Sequence, residues 1–158
     1  MEIGVSIQPF ERVYRLVIRR EAYDYMLREA EREYPIEACG VLAGSIAGGV
    51  AVVEEAASMK NLLASNRAFW FDAKEWMRLI MEFESRGLEY IGLYHTHDRP
   101  EPLLSLSDRH RMLECPGEVW VVIAYRPHHK PRIAAYRIDD YGSSILRLPV
   151  VVEHVHLP

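Results

Sequence analysis

Side-chain amides are scarce in this sequence: Asn61 and Asn66 are its only asparagines, and Gln8 is its only glutamine. Lysine is confined to Lys60, Lys74 and Lys130, so arginine carries most of the positive charge. Few thermolabile amides suit a hot environment, although genomic base composition produces the same arginine bias. Cysteine occurs only at Cys39 and Cys115, too few for a disulfide framework. Both read as buried thiols, with a bridge between them as the alternative in a thermophile. No apolar run approaches the ~20 residues of a membrane span, and Met1 to Pro9 lacks the basic segment and apolar stretch of a secretory signal. A cytoplasmic protein with no membrane partner is therefore expected. A net charge of -4 leaves no clustered basic excess, so a nucleic-acid partner is not implied.

What is present fits one folded unit. The 158 residues, 49% hydrophobic and 27% charged, can bury a core of their own, and a single domain over residues 1–158 is expected. Arg12 to Ile18 reads as a strand. A helix follows through Glu33, with Ala22, Tyr25, Met26 and Ala30 on its buried stripe, and Pro35 stops it. Strands at 41–43 and 50–53 form a hairpin around Ser45 to Gly49. Phe69-Trp70-Phe71 reads as a short aromatic strand, and Asp72 caps a helix from Ala73 to Arg86 that ends at Gly87. Trp76, Leu79, Ile80 and Phe83 line that helix's core face. The run from Val119 to Tyr125, apolar almost throughout, is a central strand buried on both faces. It turns at Pro127 to Pro131 into a strand from Arg132 to Ile138. The order β-α-β-β-β-α-β-α-β-β indicates an α/β protein with a mixed, mainly antiparallel sheet flanked by helices.

Chemistry concentrates between Tyr94 and Asp108. Tyr90-Ile91-Gly92-Leu93-Tyr94 is aromatic and β-branched, a strand whose end carries His95 and His97. Residues two apart in a strand share a face, so both imidazoles point the same way. Asp108, eleven positions after His97, returns beyond a proline-containing bend. Two histidines and a carboxylate suit a catalytic metal, which leaves one coordination position open. Ser105-x-x-Asp108 also fits a capping box opening a short helix from Asp108 to Leu113, and one residue can both cap and ligate. Asp98 reads as a solvated loop charge, with hydrogen bonding to an imidazole or competition for the ion as alternatives. Thr96, facing away from the histidines, is assigned to packing. His154 and His156 repeat the His-x-His spacing without a nearby carboxylate and read as exposed residues of a terminal strand.

Upstream, Pro35-x-Glu37-x-Cys39-Gly40-x-Leu42-x-Gly44 precedes His95-x-His97 and Ser105-x-x-Asp108. This series resembles the JAMM (MPN-plus) family of zinc metalloproteases and deubiquitinase-like isopeptidases, over about residues 16–138, leaving 139–158 as a C-terminal extension. The chain departs from the usual family pattern in having Thr96 between the histidines and Asp98 after the second. The resemblance implies the MPN/JAMM, cytidine-deaminase-like architecture. It also implies one Zn2+ per chain on His95, His97 and Asp108, with Glu37 and Ser105 catalytic. The expected substrate is the C-terminal tail, ending in paired glycines, of a ubiquitin-like or sulfur-carrier protein. That tail is expected along a sheet edge beside the metal, with 58–71 as a wall whose Asn61 and Ser65 fix its backbone. Two rival functions stay open: release of a single amino acid such as cysteine from a sulfur-carrier protein, and a non-catalytic scaffold or binding module.

Overall fold

The computed structural model describes residues 12–114, 116–140, 142 and 144–153. Cys115, His154 and His156 lie outside them, and with them the alternative pairing of Cys115 and the expected terminal strand. Eight strands form one sheet in the order β7-β6-β5-β4-β2-β3-β1-β8. In chain order the elements are β1 (Arg15–Arg19), α1 (Arg20–Glu33), β2 (Cys39–Ala47), β3 (Val50–Met59) and α2 (Ala73–Ser85). After these come β4 (Glu89–His97), α3 (Leu106–Glu114), β5 (Val119–Ala124), β6 (Arg132–Ile138), β7 (Ile145–Leu148) and β8 (Val150–Glu153). The sheet is mixed: β4 pairs with β5 in parallel, β1 pairs in parallel with both β3 and β8, and the remaining pairs are antiparallel.

Each face of the sheet buries its own core. On one face α1 lays Ala22 and Met26 against Leu16, Ile18, Leu42, Val53 and Ile123. On the other, Leu79, Ile80 and Phe83 of α2 and Met112 of α3 pack with Val41, Leu93, Trp120 and Tyr136. The register between β2 and β4 shifts at Leu42/Ala43. Across that irregularity Ile91 and Tyr94 face the α1 side, while Tyr90 and Leu93 face the α2 side. The bulge therefore decides which core receives His95. Gly92 is forced by proximity, because a Cβ there would lie 1.9 Å from the Val119 carbonyl oxygen of the adjacent strand.

Two expectations are corrected. The hairpin turn is shorter than Ser45 to Gly49: β2 runs on to Ala47, and Gly48 and Gly49 alone make the turn at φ 58° and 79°, as a two-residue primed turn requires. Phe69-Trp70-Phe71 is not a strand. The Trp70 N–H donates to the Asn61 side chain at 3.2 Å and its carbonyl accepts from the Leu62 N–H at 2.8 Å. The segment thus satisfies its backbone locally, and Phe69 and Phe71 act as core anchors. Beyond Ile138, β7 and β8 add the outer strands of the sheet, on β6 and β1 respectively. Their short, half-exposed sequences carry little alternation. Among the described residues no helix is long and apolar enough to cross a membrane.

Candidate metal centre

The site forms where the middle of the sheet ends. β2 and β4 run antiparallel, so the start of one lies beside the end of the other, with Cys39 paired to His95. This brings Glu37, two residues ahead of β2, against the two histidines. Thr96 fastens the junction: its N–H donates to the Ala38 carbonyl at 3.0 Å, and its hydroxyl oxygen accepts from the Ala38 N–H at 2.8 Å. Thr96 is thus a hydrogen-bonded clamp rather than a packing residue.

His95 Nε2 and His97 Nε2 lie 3.0 Å apart, and Asp108 Oδ2 is 3.0 Å from the first and 3.2 Å from the second. Glu37 Oε2 stands further off, 3.8 Å from His97 Nε2. All four residues are buried. Glu37, His95 and His97 form a group whose donor atoms fall within 4.8 Å of one another, close enough to hold one metal ion. Asp108 lies in the first turn of α3, which Ser105 precedes, with reciprocal bonds: the Ser105 N–H donates to Asp108 Oδ2 at 2.9 Å, and the Asp108 N–H to Ser105 Oγ at 3.1 Å. The capping box and the gathering of the site residues therefore coexist.

Aromatic rings fix the imidazoles. Phe69 stacks on His95 with centroids 4.3 Å apart, and Trp120 meets it edge-on at 5.5 Å. Burial lowers the His95 pKa against the opposing pull of Asp108, favouring the neutral, ligating form. Burial alone would raise the Asp108 carboxyl, but His95, His97 and the Ser105 N–H together hold it well below the usual range. Burial and the neighbouring Asp108 charge push Glu37 up to about 8, with Arg99 acting in the other direction. Burial also pushes the Cys39 thiol up to about 12, which removes it as a nucleophile at neutral pH.

The segment 60–72 lines the site in a different way from that expected. The Asn61 amide donates to the carbonyls of Glu37 and Ala68, both at 3.0 Å, while its oxygen accepts from Leu63 and Trp70. The Glu37 N–H donates to the Ser65 carbonyl at 2.9 Å. Asn61 and Ser65 therefore hold the backbone of Glu37 rather than that of a ligand. The scarcity of asparagine in this chain, which has only Asn61 and Asn66, was the available signal for such a role. Nor is the site at a sheet edge, since β2 and β4 are both flanked by strands. Beside Glu37 opens a cavity of ≈ 370 Å³ bounded by the end of α1, the start of β2, the end of β3 and the 60s segment. Asp98 touches neither imidazole: it accepts from the Tyr34 hydroxyl at 3.0 Å and from Arg126 Nε at 3.1 Å. It is a half-buried clamp, not a solvated charge.

A mixed sheet with helices on both faces and a buried Glu/His/His group at the ends of its middle strands defines a hydrolase domain of the JAB type. The chain belongs to that family: its residues 19–139 match the prokaryotic homologs of the JAB domain. It is 32% identical over 128 residues to the CysO-cysteine peptidase of Mycobacterium tuberculosis, covering 81% of this chain and 86% of that protein. It is 33% identical over 113 residues to a desampylase of Haloferax volcanii, covering 68% and 79% respectively. A desampylase of Pyrococcus furiosus is 26% identical over 118 residues, 75% of this chain and 77% of that protein. In fold, the chain is similar to a solution structure of a Desulfitobacterium hafniense protein, with TM-score 0.77 and 23% identity over 89% of this chain and 94% of that one.

Proposed function

We propose that this protein is a zinc-dependent peptidase and isopeptidase that cleaves after the C-terminal tail of a ubiquitin-like or sulfur-carrier protein, in the cytoplasm. The observation that carries the reading is the buried convergence of His95 Nε2, His97 Nε2 and Asp108 Oδ2, separated by 3.0 to 3.2 Å. Three lone-pair donors crowded at one point are costly to bury without a cation between them. The edges of a tetrahedron with zinc–nitrogen bonds of ~2.0 Å are about 3.3 Å, so the spacing fits one zinc ion per chain. When bound, zinc supplies a Lewis acid that polarises the scissile carbonyl and acidifies water.

The chain's own residues carry the remaining steps. Glu37 accepts the proton of the attacking water and returns it to the leaving nitrogen. Its raised pKa suits that exchange near neutrality, and a nearby cation would draw it back down. Ser105 Oγ accepts from the Asp108 N–H, which leaves its own proton free to donate to the developing oxyanion. Phe69 and Trp120 exclude water from the imidazole flanks and hold His95 in place. A tail ending in paired glycines is the proposed substrate, since only a narrow chain reaches a centre so deeply buried.

Release of a single amino acid is the second reading, favoured by the likeness to the CysO-cysteine peptidase. A scaffold would keep the sheet without gathering Glu37, His95, His97 and Asp108, all buried, at one point. The deciding experiment incubates the purified protein, with and without a chelator, with carrier-tail fusions and isopeptide conjugates, and reads the cut by mass spectrometry. Chelator-sensitive cleavage after the tail is expected. Tight binding that survives the chelator, with no cleavage, would establish the scaffold instead.

A further inference from the structure

A second recess, of ≈ 220 Å³, opens on the β5–β6 side, lined by Arg99, Pro100, Ala124, Arg126, His129, Lys130 and Arg132. Its place relative to the metal centre follows from the sheet. His97 pairs with Ala124, and Ala124 with Arg132, so the three form one row across β4, β5 and β6. Side chains in one row point to the same face, and alternation from Trp120 and Val122 puts this row on the α2 side, the face that receives His95. The recess therefore lies one strand away from His97, and Ala124, the smallest member of the row, forms its floor. The cavity beside Glu37 lies on the opposite flank. With the acyl tail assigned to the larger cavity beside Glu37, the smaller recess falls on the side of the leaving amine.

The charge of the recess is not internally balanced. Arg126 is paired with Asp98 at 3.1 Å and Arg132 with Glu101 at 3.6 Å. Among the described residues, Arg99 and Lys130 have no ion-pair partner. Arg99 follows His97 by two positions, and its field reaches Glu37. Two cations with no ion-pair partner among the described residues, in a small recess one strand from His97, are suited to one anionic group on the leaving side. Neither a lysine side chain within an isopeptide nor the amine of an internal peptide bond carries such a group there. A single leaving amino acid does, as its free α-carboxylate.

We propose that this recess binds the α-carboxylate of the leaving residue, through Arg99 and Lys130, and so selects carrier tails extended by one amino acid over isopeptide conjugates. The inference rests on the peptidase reading of the adjacent centre and names the substrate class within it. Arg99 forms the near contact and Lys130 the outer one, with Arg126 held back by Asp98 as part of the wall.

The test separates binding from turnover. Two synthetic peptides share a Gly-Gly tail extended by one cysteine, one ending in a free carboxylate and the other in a carboxamide. Calorimetry with metal-loaded Glu37→Gln should show the free acid binding at least ~10-fold tighter, as a charge-assisted hydrogen bond gives. Arg99→Gln or Lys130→Gln on that background should shrink the ratio, and Arg99→Lys should restore part of it. Equal affinities for the two peptides would overturn the proposal whether or not the wild-type protein cleaves either of them. Failure of wild-type protein to hydrolyse any fusion or conjugate, with the binding preference intact, would instead count against the peptidase reading and leave the carboxylate site standing. With active enzyme, kcat/KM for the free acid should exceed that for the carboxamide and for a matched lysine isopeptide, and the opposite order would overturn the selectivity.

Discussion

Glu118 offers a quantitative test of the electrostatics of the core. It stands immediately before β5 and is only 2% exposed. The Tyr90 hydroxyl, which accepts from Trp76 Nε1 at 3.1 Å, bonds one of its oxygens, and Oε2 has no partner. Burial pushes its carboxyl up from 4.5 to about 7, and the Tyr90 bond offsets only part of that. The native state thus keeps the proton where the unfolded chain has released it. Stability contributed by this group falls as pH rises from about 4.5 to about 7 and is flat above. At ~1.4 kcal/mol per pH unit, the full cost above pH 7 is about 3 kcal/mol. Glu118→Gln removes the titration while keeping the size. The buried amide adds its own constant penalty of ~1–3 kcal/mol, so the informative quantity is how the difference between the two proteins changes with pH. Urea unfolding at pH 5 and pH 8, in the same metal state, should show the variant gaining about 2 to 3 kcal/mol on the wild type. With an m-value of roughly 2 kcal/mol per molar this is about 1 M in midpoint. A difference that stays constant from pH 5 to 8 would refute the reasoning.

The metal centre is tested by content as well as activity. His97→Ala and Asp108→Ala should each lose bound metal by elemental analysis, and occupancy in wild-type protein should fall on acidification through about pH 6, where free imidazole protonates. Glu37→Gln should retain the metal and lose turnover, because the amide cannot take the proton of water. Ser105→Ala should lower kcat by roughly 10²-fold if its hydroxyl serves the oxyanion, alongside a capping loss of about 1 kcal/mol. A loss of thermal stability with kcat unchanged would leave it only the cap. Thr96→Val should destabilise by ~1–3 kcal/mol in urea, since it orphans the buried Ala38 N–H. Thr96→Ser should keep most of that stability.

Four of the five proposed site residues stood out because their signals are short-range, and Glu37 was reached only through the family resemblance. A two-residue alternation puts His95 and His97 on one face, and a box of four places Asp108 against Ser105. Distant side chains that set the site's geometry gave no such signal. Phe69, named only as part of a strand, stacks on His95 from a segment without regular structure. Thr96 sits on the face opposite the two histidines, yet its hydroxyl bonds the chain that carries Glu37. Glu118 looks like an ordinary charge at a strand's start, and only the folded structure shows its burial beside Tyr90 of β4. The alternation rule also carries no information about neighbours. The central run at β5 was recognised by its apolarity, whereas the pairing of β8 with β1 depends on four residues, Val150 to Glu153, too few to announce a partner.

That last pairing bears on how the chain is made. Of the described strands β1 is synthesised first and its outer partner β8 last, and Arg19 meets Glu153 in an ion pair across 134 residues of sequence. Throughout elongation the outer row of N–H and C=O groups on β1 has no native partner, a template that another nascent chain can occupy. A polypeptide halted before Val150 would still contain Glu37, His95, His97, Ser105 and Asp108. Its open flank would make it prone to pair with its own kind, so solubility would depend on four residues remote from the chemistry.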